Sequence, residues 1–336
     1  LGAYGVPVPG ALHLPDTLCP MQQRYVGASG LQVSRLALGT MTWGKDTDEH
    51  EARDQLTAFI EAGGTTIDTA AGYTDGRSEE LIGSLLGDVV RRDEVVLATK
   101  AGISRRGGER VTDTSRGALL RGLDTSLRRL GTDHVDLWQV HIWSDDVPLE
   151  ETLGALDFAV SSGRASYVGI SNYNGWQTAR AATLQEVAGR ARLVSTQVEY
   201  SLVNRRIERE VLPAAESLGL GVLPWSPLGR GVLTGKYRTG TPSDSRAASP
   251  VFAGFVEAYL DDHSRGIVEA VARAADGLGW TPLEVALVWV RDSPGVTAPV
   301  VGARTAAQLK GALGSEAKTL PAEIRGALDD VSGGAA

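Results

Sequence analysis

Short apolar and β-branched runs recur along the chain, each followed by a stretch whose apolar residues fall at helical spacing. The runs are Leu36–Met41, Thr65–Thr69, Glu94–Lys100, Val135–His141, Ser166–Ser171, Leu193–Glu199, Gly221–Trp225 and Thr297–Val301, eight in all. The spacing predicts helices over Glu51–Glu61, Arg77–Leu86, Ser115–Leu130, Leu149–Val160, Gly175–Ala188, Arg206–Leu218 and Gly266–Leu278, with Ala306–Leu313 and Pro321–Leu328 after the last run. Strands alternating with helices imply parallel strands joined by right-handed crossovers, and near-continuous apolar strands imply burial on both faces. Eight such units in roughly 250–300 residues match an α/β fold closed into a (β/α)8 barrel. A doubly wound sheet is the structural alternative; it would show a Gly-rich first turn and a differently patterned second domain.

The runs also end in polar or reactive residues. Asp68, Lys100, His141 and the pair Ser171–Asn172 close runs two to five. Gln197 lies in the sixth, Trp225–Ser226 close the seventh, and the eighth leads to Gly302 and Arg304. In a barrel all these carboxyl ends meet on one rim, where such enzymes build their sites. Any one of them is an ordinary strand ending; together they point to chemistry. Two Gly-rich stretches, Ala101–Asp113 and Leu228–Pro250, read as long loops over that rim.

Composition narrows the function. The chain has 336 residues, 42% hydrophobic and 22% charged, with a formal net charge of −8. No basic cluster stands out, so a nucleic-acid partner is not expected. No apolar run reaches the roughly 18 residues that span a bilayer, so no membrane partner is expected either. One cysteine excludes an intrachain disulfide and fits a reducing, cytoplasmic setting. The five histidines lack paired ligand spacing, so no metal is expected. Residues 1–20 carry four prolines and no Lys or Arg, and read as a disordered leader or appended remnant before a single domain over 21–336.

Gly229-Arg-Gly231-Val-Leu-Thr-Gly235-Lys236-Tyr237 satisfies neither the dinucleotide fingerprint nor the P-loop, though its backbone suits a phosphate. The informative constellation is Asp68, Tyr73, Lys100 and His141. An amine ending Val-Val-Leu-Ala-Thr must find water or a carboxylate, because burying it alone is costly. Asp68 on the preceding strand is the natural partner. A cation beside Tyr73 is expected to lower its pKa and make the phenol a general acid near neutral pH. His141 is placed to hydrogen-bond the same substrate oxygen.

At these residues the chain resembles the aldo-keto reductases. The likeness runs from Tyr25 to Leu313, through Gly30-Leu-Gln-Val-Ser34, Leu38-Gly-Thr40, Ile67-Asp-Thr-Ala-Ala-Gly-Tyr73, Gly76-Arg-Ser-Glu79 and Ala98-Thr-Lys100. It continues through Asp136-Leu-Trp-Gln-Val-His141, Gly169-Ile-Ser-Asn172, Gln197-Val-Glu-Tyr200, Pro224-Trp-Ser-Pro-Leu-Gly229 and Val301-Gly-Ala-Arg304. The branch it most resembles includes bacterial reductases and the β subunits of potassium channels. The resemblance implies a TIM barrel with an N-terminal β-hairpin and long rim loops, holding NADPH (NADP+) across its C-terminal rim. It implies that Tyr73 donates the proton, Lys100 and Asp68 tune it, and His141 positions the carbonyl. Channel β subunits carry Asn at the position of His141, so the histidine favours reductase chemistry. An NADPH-binding redox-sensing subunit with slow turnover is the alternative, and an unrelated barrel lyase or dehydratase a further one.

The resemblance also implies a cofactor site. Thr40 and Asp68 would lie beside the cofactor, and Ser171, Asn172 and Gln197 would bond the nicotinamide carboxamide. Trp225 would stack on the ring. Ser226, Pro227, Leu228 and Gly229 would line the pyrophosphate, with Lys236 and Arg246 as clamps. Gly302, Ala303 and Arg304 would receive the adenosine 2′-phosphate, and Gln308 the adenine side. Arg304 suits phosphate through paired hydrogen bonds, and the helix starting near Thr305 adds partial positive charge. Gly311 and Ala312 depart from relatives that place an acidic residue and Asn there to hold the adenine amino group. Trp43 and Trp143 follow the first and fourth strands and are expected to line a substrate mouth for flat or apolar carbonyl compounds. The expected partner is a small-molecule carbonyl substrate, and a homo-oligomer is compatible with the sequence.

Overall fold

Eight strands, each short and apolar, close on themselves in a computed structural model that describes residues 21–107, 109–242, 246–248 and 253–333. The expected leader at 1–20 lies outside the described residues. The described chain begins with an antiparallel hairpin, β1 (Gln23–Tyr25) and β2 (Gln32–Ser34). The first barrel strands are β3 (Ala37–Gly39), β4 (Thr66–Asp68) and β5 (Val96–Ala101). A second hairpin follows, β6 (Ile103–Arg106) and β7 (Glu109–Thr112). The barrel resumes with β8 (Val135–Val140), β9 (Ala165–Ser171), β10 (Leu193–Glu199), β11 (Gly221–Trp225) and β12 (Val300–Gly302). All eight barrel strands pair in parallel, and β12 closes the ring against β3.

Around them lie α1 (Glu49–Glu61), α2 (Arg77–Leu85), α3 (Arg116–Leu130), α4 (Leu149–Ser161), α5 (Gly175–Val187) and α6 (Val211–Leu218). Then come α7 (Ala253–Glu257), α8 (Asp262–Leu278), α9 (Pro282–Arg291), α10 (Ala306–Leu313) and α11 (Ala322–Ser332). Among the described residues, no helix is long and apolar enough to cross a membrane.

Three expectations change. Ala101–Asp113 is not an open loop but the β6–β7 hairpin, turning at Gly107 with φ +62°. The helix expected over Arg206–Leu218 breaks into a 3-10 turn, Arg206–Glu208, and α6. Pro213 explains the break, since proline is tolerated only in a helix's first turn. Helix α9 escapes the periodicity because seven of its ten residues are buried, leaving no polar stripe to read. Its Thr281–Glu284 capping box and N-terminal proline were the available signals.

Strand alternation sorts the core into two clusters. Leu38, Ile67, Leu97, Trp138, Val140, Val168, Ile170, Val198 and Val222 face outward into the helix layer. Ala98, Leu137, Val194, Leu223 and Ala298 face inward, where Val26, Leu31 and Val33 of the first hairpin plug the barrel floor. A bulge between Leu193 and Ser195 switches β10 so that Ser195 and Gln197 continue inward. Counting by twos up the inner wall then brings Asp68, Lys100, His141, Ser171, Gln197, Trp225 and Gly302 to the carboxyl rim.

Candidate active site

Tyr73 sits on a short turn after β4, where a 3-10 segment covers Tyr73–Gly76. Thr74 and Asp75 have φ of +47° and +56°, and Gly76 has +97°. Non-glycine residues pay about 1–3 kcal/mol for such backbone, which persists only where neighbours over-determine it. Here the Thr74 hydroxyl donates to the Trp43 carbonyl at 2.7 Å, and the Arg129 guanidinium donates to the carbonyls of Ala71 and Asp75. Arg129 is paired in turn with buried Glu79, which also accepts from Thr99 at 2.7 Å. A Cβ on Gly76 would come within 2.1 Å of the Arg129 guanidinium carbon, so the loop needs glycine there. Arg129 and Glu79 therefore hold the turn that carries Tyr73; the Gly76–Glu79 motif was visible in sequence, its buttress was not.

Lys100 and Asp68 face each other across β4 and β5, with Nζ to Oδ1 at 2.7 Å and both side chains sealed from solvent. Nζ also donates to the Thr69 carbonyl at 2.6 Å. The second carboxylate oxygen of Asp68 accepts from Gln197 Nε2 at 2.8 Å. The carboxylate is therefore held from two sides. Lys100 Nζ lies 5.1 Å from the centre of the Tyr73 ring. Burial works to deprotonate Lys100, but Asp68 and Tyr73 outweigh it and hold the ammonium above its usual range.

The expected downward shift of the phenol is not what the structure yields. Burial pushes the Tyr73 pKa up, Lys100 pulls it down, and the Asp68 carboxylate pushes it up again, leaving it raised. Lys100 acts in the expected direction, but desolvation of a phenolate in this pocket is the larger effect.

His141 presents its ring edge-on to Tyr73, centroids 5.7 Å apart. Burial and the charges of Lys100 and Arg110 drive its pKa down to about 3. Its Nδ1 is buried without a partner among the described residues. A neutral imidazole next to a protonated phenol can hydrogen-bond a carbonyl oxygen without competing for the proton.

Beside these groups lies an amide cluster. Asn172, at φ +60°, donates to the His141 carbonyl at 2.9 Å and to Ser171 Oγ at 3.1 Å, and accepts from Trp225 Nε1 at 3.0 Å. Ser226 and Arg230 are also left-handed, at φ +53° and +59°. Arg230, unremarked in the sequence, forms a bidentate pair with Glu199 and stacks on Phe255 at 3.8 Å. It thereby fastens α7 beside Trp225, whose ring is nearly parallel to Phe255. Pro227 and Gly229 are buried, Ser226 and Leu228 half-buried. A Cβ on Gly229 would meet Val203 at 2.6 Å, so backbone alone fits there. Lys236 lies against Gly231, where an added Cβ would meet its Nζ at 3.2 Å. Arg246 opens the 3-10 turn Arg246–Ala248; the clamp expected of its side chain lies outside what is described.

The turn after β12 is clasped from the opposite side of the sequence. Thr42 and Thr47 donate to the carbonyls of Ala303 and Arg304. Gln308 accepts from the Arg304 amide at 3.0 Å. The first amide of α10, at Ala306, donates to Glu51 Oε2 at 2.7 Å. The partial positive charge expected to await a phosphate there is therefore already answered by a carboxylate from α1.

One expected contact is corrected. Trp43 has 0% exposure and donates its indole N–H to Gln55, so it belongs to the layer between barrel and α1, not to the substrate mouth. Thr40 is equally buried and donates to the Asp68 carbonyl at 3.0 Å. Trp143 does remain half-buried at the rim, edge-on to Tyr173 and to Trp176, which is 54% exposed. Among the described residues, no cluster of three or more His, Cys, Asp or Glu could hold a metal ion.

The sequence pattern of the aldo/keto reductase family matches residues 35–332. The chain is 36% identical over 329 residues to the uncharacterized oxidoreductase YrpG of Bacillus subtilis, covering 93% of this chain and 96% of that one. It is 37% identical over 292 residues to a probable voltage-gated potassium channel subunit beta of Oryza sativa subsp. japonica, covering 84% and 87%. It is 34% identical over 304 residues to the L-glyceraldehyde 3-phosphate reductase of Escherichia coli (strain K12), covering 88% of each.

Proposed function

The chain belongs to the aldo/keto reductase family, and we propose that it reduces aldehydes and ketones to alcohols, reversibly, with NADPH as reductant and Tyr73 as proton donor. The observation that carries this reading is the buried Asp68–Lys100 pair beside a protonated phenol, with a neutral imidazole at its edge. The donor set suits a nicotinamide cofactor. Ser171, Asn172 and Gln197 supply amides and a hydroxyl beside the indole of Trp225, as a carboxamide on a flat ring requires. Gly229 and Gly231 offer a side-chain-free backbone for a pyrophosphate, with Lys236 lying against it. Arg304 is the cation for a 2′-phosphate, set against the neighbouring Glu51 carboxylate.

When bound, NADPH supplies a hydride from its nicotinamide C4 to the carbonyl carbon. This chain's residues manage the oxygen. His141 hydrogen-bonds it and fixes its direction. Tyr73 gives up its phenolic proton to it, and the Lys100 ammonium stabilises the phenolate left behind. Asp68, tethered by Gln197, keeps Lys100 charged and aimed. A cysteine count of one in 336 residues supports a reducing, cytoplasmic setting as part of this reading.

The test is to mix the protein with NADPH and 4-nitrobenzaldehyde and follow the absorbance of the reduced nicotinamide. Steady turnover supports the proposal. NADPH binding without reduction of any aldehyde in a panel would favour a redox-sensing subunit instead.

A further inference from the structure

The β6–β7 hairpin leans on the turn that carries the proton donor. A Cβ on Gly72 would meet the Ile103 carbonyl oxygen at 2.9 Å, and Arg105 pairs with Asp75 at 3.5 Å, so the hairpin touches both flanks of Tyr73. The ladder register sets Arg110 directly opposite Arg105. Cross-strand partners share a face of the ribbon, so the face that meets Asp75 also carries Arg110. Like charges directly opposite one another are destabilising unless something neutralises them. Asp75 serves Arg105. Arg110 is exposed, and among the described residues its side chain makes neither ion pair nor hydrogen bond. Of the acidic groups on this side, Asp145 accepts from the Trp143 indole, and Glu109 alternates onto the other face of the strand.

We infer that Arg110 is an anion receptor at the substrate mouth, and that the preferred substrate is a carbonyl compound carrying a carboxylate or phosphate. A guanidinium binds either oxyanion through two parallel hydrogen bonds, which orients the substrate as well as attracting it. Trp143, two residues beyond His141, offers apolar surface to the uncharged body of such a molecule. The charge of Arg110 is also felt at His141, where it helps keep the ring neutral. The inference rests on the carbonyl-reductase reading and assigns its substrate class.

The experiment compares 4-formylbenzoate and 4-formylphenyl phosphate with the neutral methyl 4-formylbenzoate at low salt. The kcat/KM ratio of anionic to neutral aldehyde should favour the anions and fall about tenfold in Arg110→Gln, while Arg110→Lys keeps part of it. The anion with the larger ratio identifies carboxylate or phosphate as the preferred group. Binding of unreactive terephthalate, measured by calorimetry, should weaken in parallel. Ratios and terephthalate affinity that are the same in wild type and Arg110→Gln would overturn the inference. Arg110-dependent terephthalate binding with no reduction of any of the three aldehydes would leave the receptor standing and sink the reductase reading.

Discussion

The Lys100 ammonium stands 2.7 Å from Asp68 Oδ1 on adjacent barrel strands, both side chains shielded from water. Removing one partner of such a pair strands the other charge in a poorly solvated site, which costs roughly 3–5 kcal/mol. Lys100→Met should therefore lower stability by about that amount. It should also raise the Tyr73 pKa further, because the cation opposing burial is gone. Asp68→Asn added to Lys100→Met should recover part of the stability but none of the activity. Denaturant unfolding of the single and double variants measures the first; a double variant no more stable than Lys100→Met would contradict it.

Tyr73→Phe keeps the ring against His141 and removes only the proton. Aldehyde reduction should drop about 100- to 10,000-fold, with NADPH affinity nearly unchanged. Steady-state rates beside a fluorescence titration of the cofactor separate the two quantities. Full activity in this variant would mean that another group is the acid.

His141 carries a pH signature. In the unfolded chain a histidine titrates near its ordinary value of 6.5, whereas native His141 is held down to about 3. Between those values the unfolded chain binds the proton and the native one does not. The histidine's contribution to stability is therefore whole above about pH 6.5 and is lost as pH falls toward 3. Unfolding midpoints at about pH 8 and pH 5 should fall further for wild type than for His141→Gln. Equal falls would show that the ring protonates as an exposed histidine does.

Glu51 and Arg304 should set the response to the 2′-phosphate in opposite senses. Arg304→Ala should lose tenfold or more in NADPH affinity relative to NADH. Glu51→Gln keeps an acceptor for the Ala306 amide but removes the charge, and should shift the ratio about three- to fivefold toward NADPH. Direct titration of both nucleotides, without substrate, reads this out. Ratios unchanged in both variants would remove the phosphate from this turn.

The strand positions were legible because alternation writes itself into a β-strand: Asp68, Lys100 and Gln197 share the inner parity of their strands. Expectation failed wherever the answer depended on partners from elsewhere in the chain. Trp43 looked like a mouth residue from its place after β3, yet Gln55 and the layer beneath α1 bury it. Tyr73 was expected to titrate low beside a cation, yet desolvation exceeds the cation's pull. Burial of seven of the ten residues of α9 erased the very periodicity that reveals helices elsewhere.

What the sequence determined by itself was the order of strands and helices, the two faces of each strand, and the residue types arriving at the rim, because these follow from local periodicity. The tertiary structure alone decided how those groups stand to one another. It put Glu51 on an amide 255 positions away and held Thr74 and Asp75 in left-handed backbone. It also folded a stretch read as loop into the β6–β7 hairpin, with Arg110 opposite Arg105. Such contacts form only when the barrel closes, since no local preference brings together residues so distant along the chain.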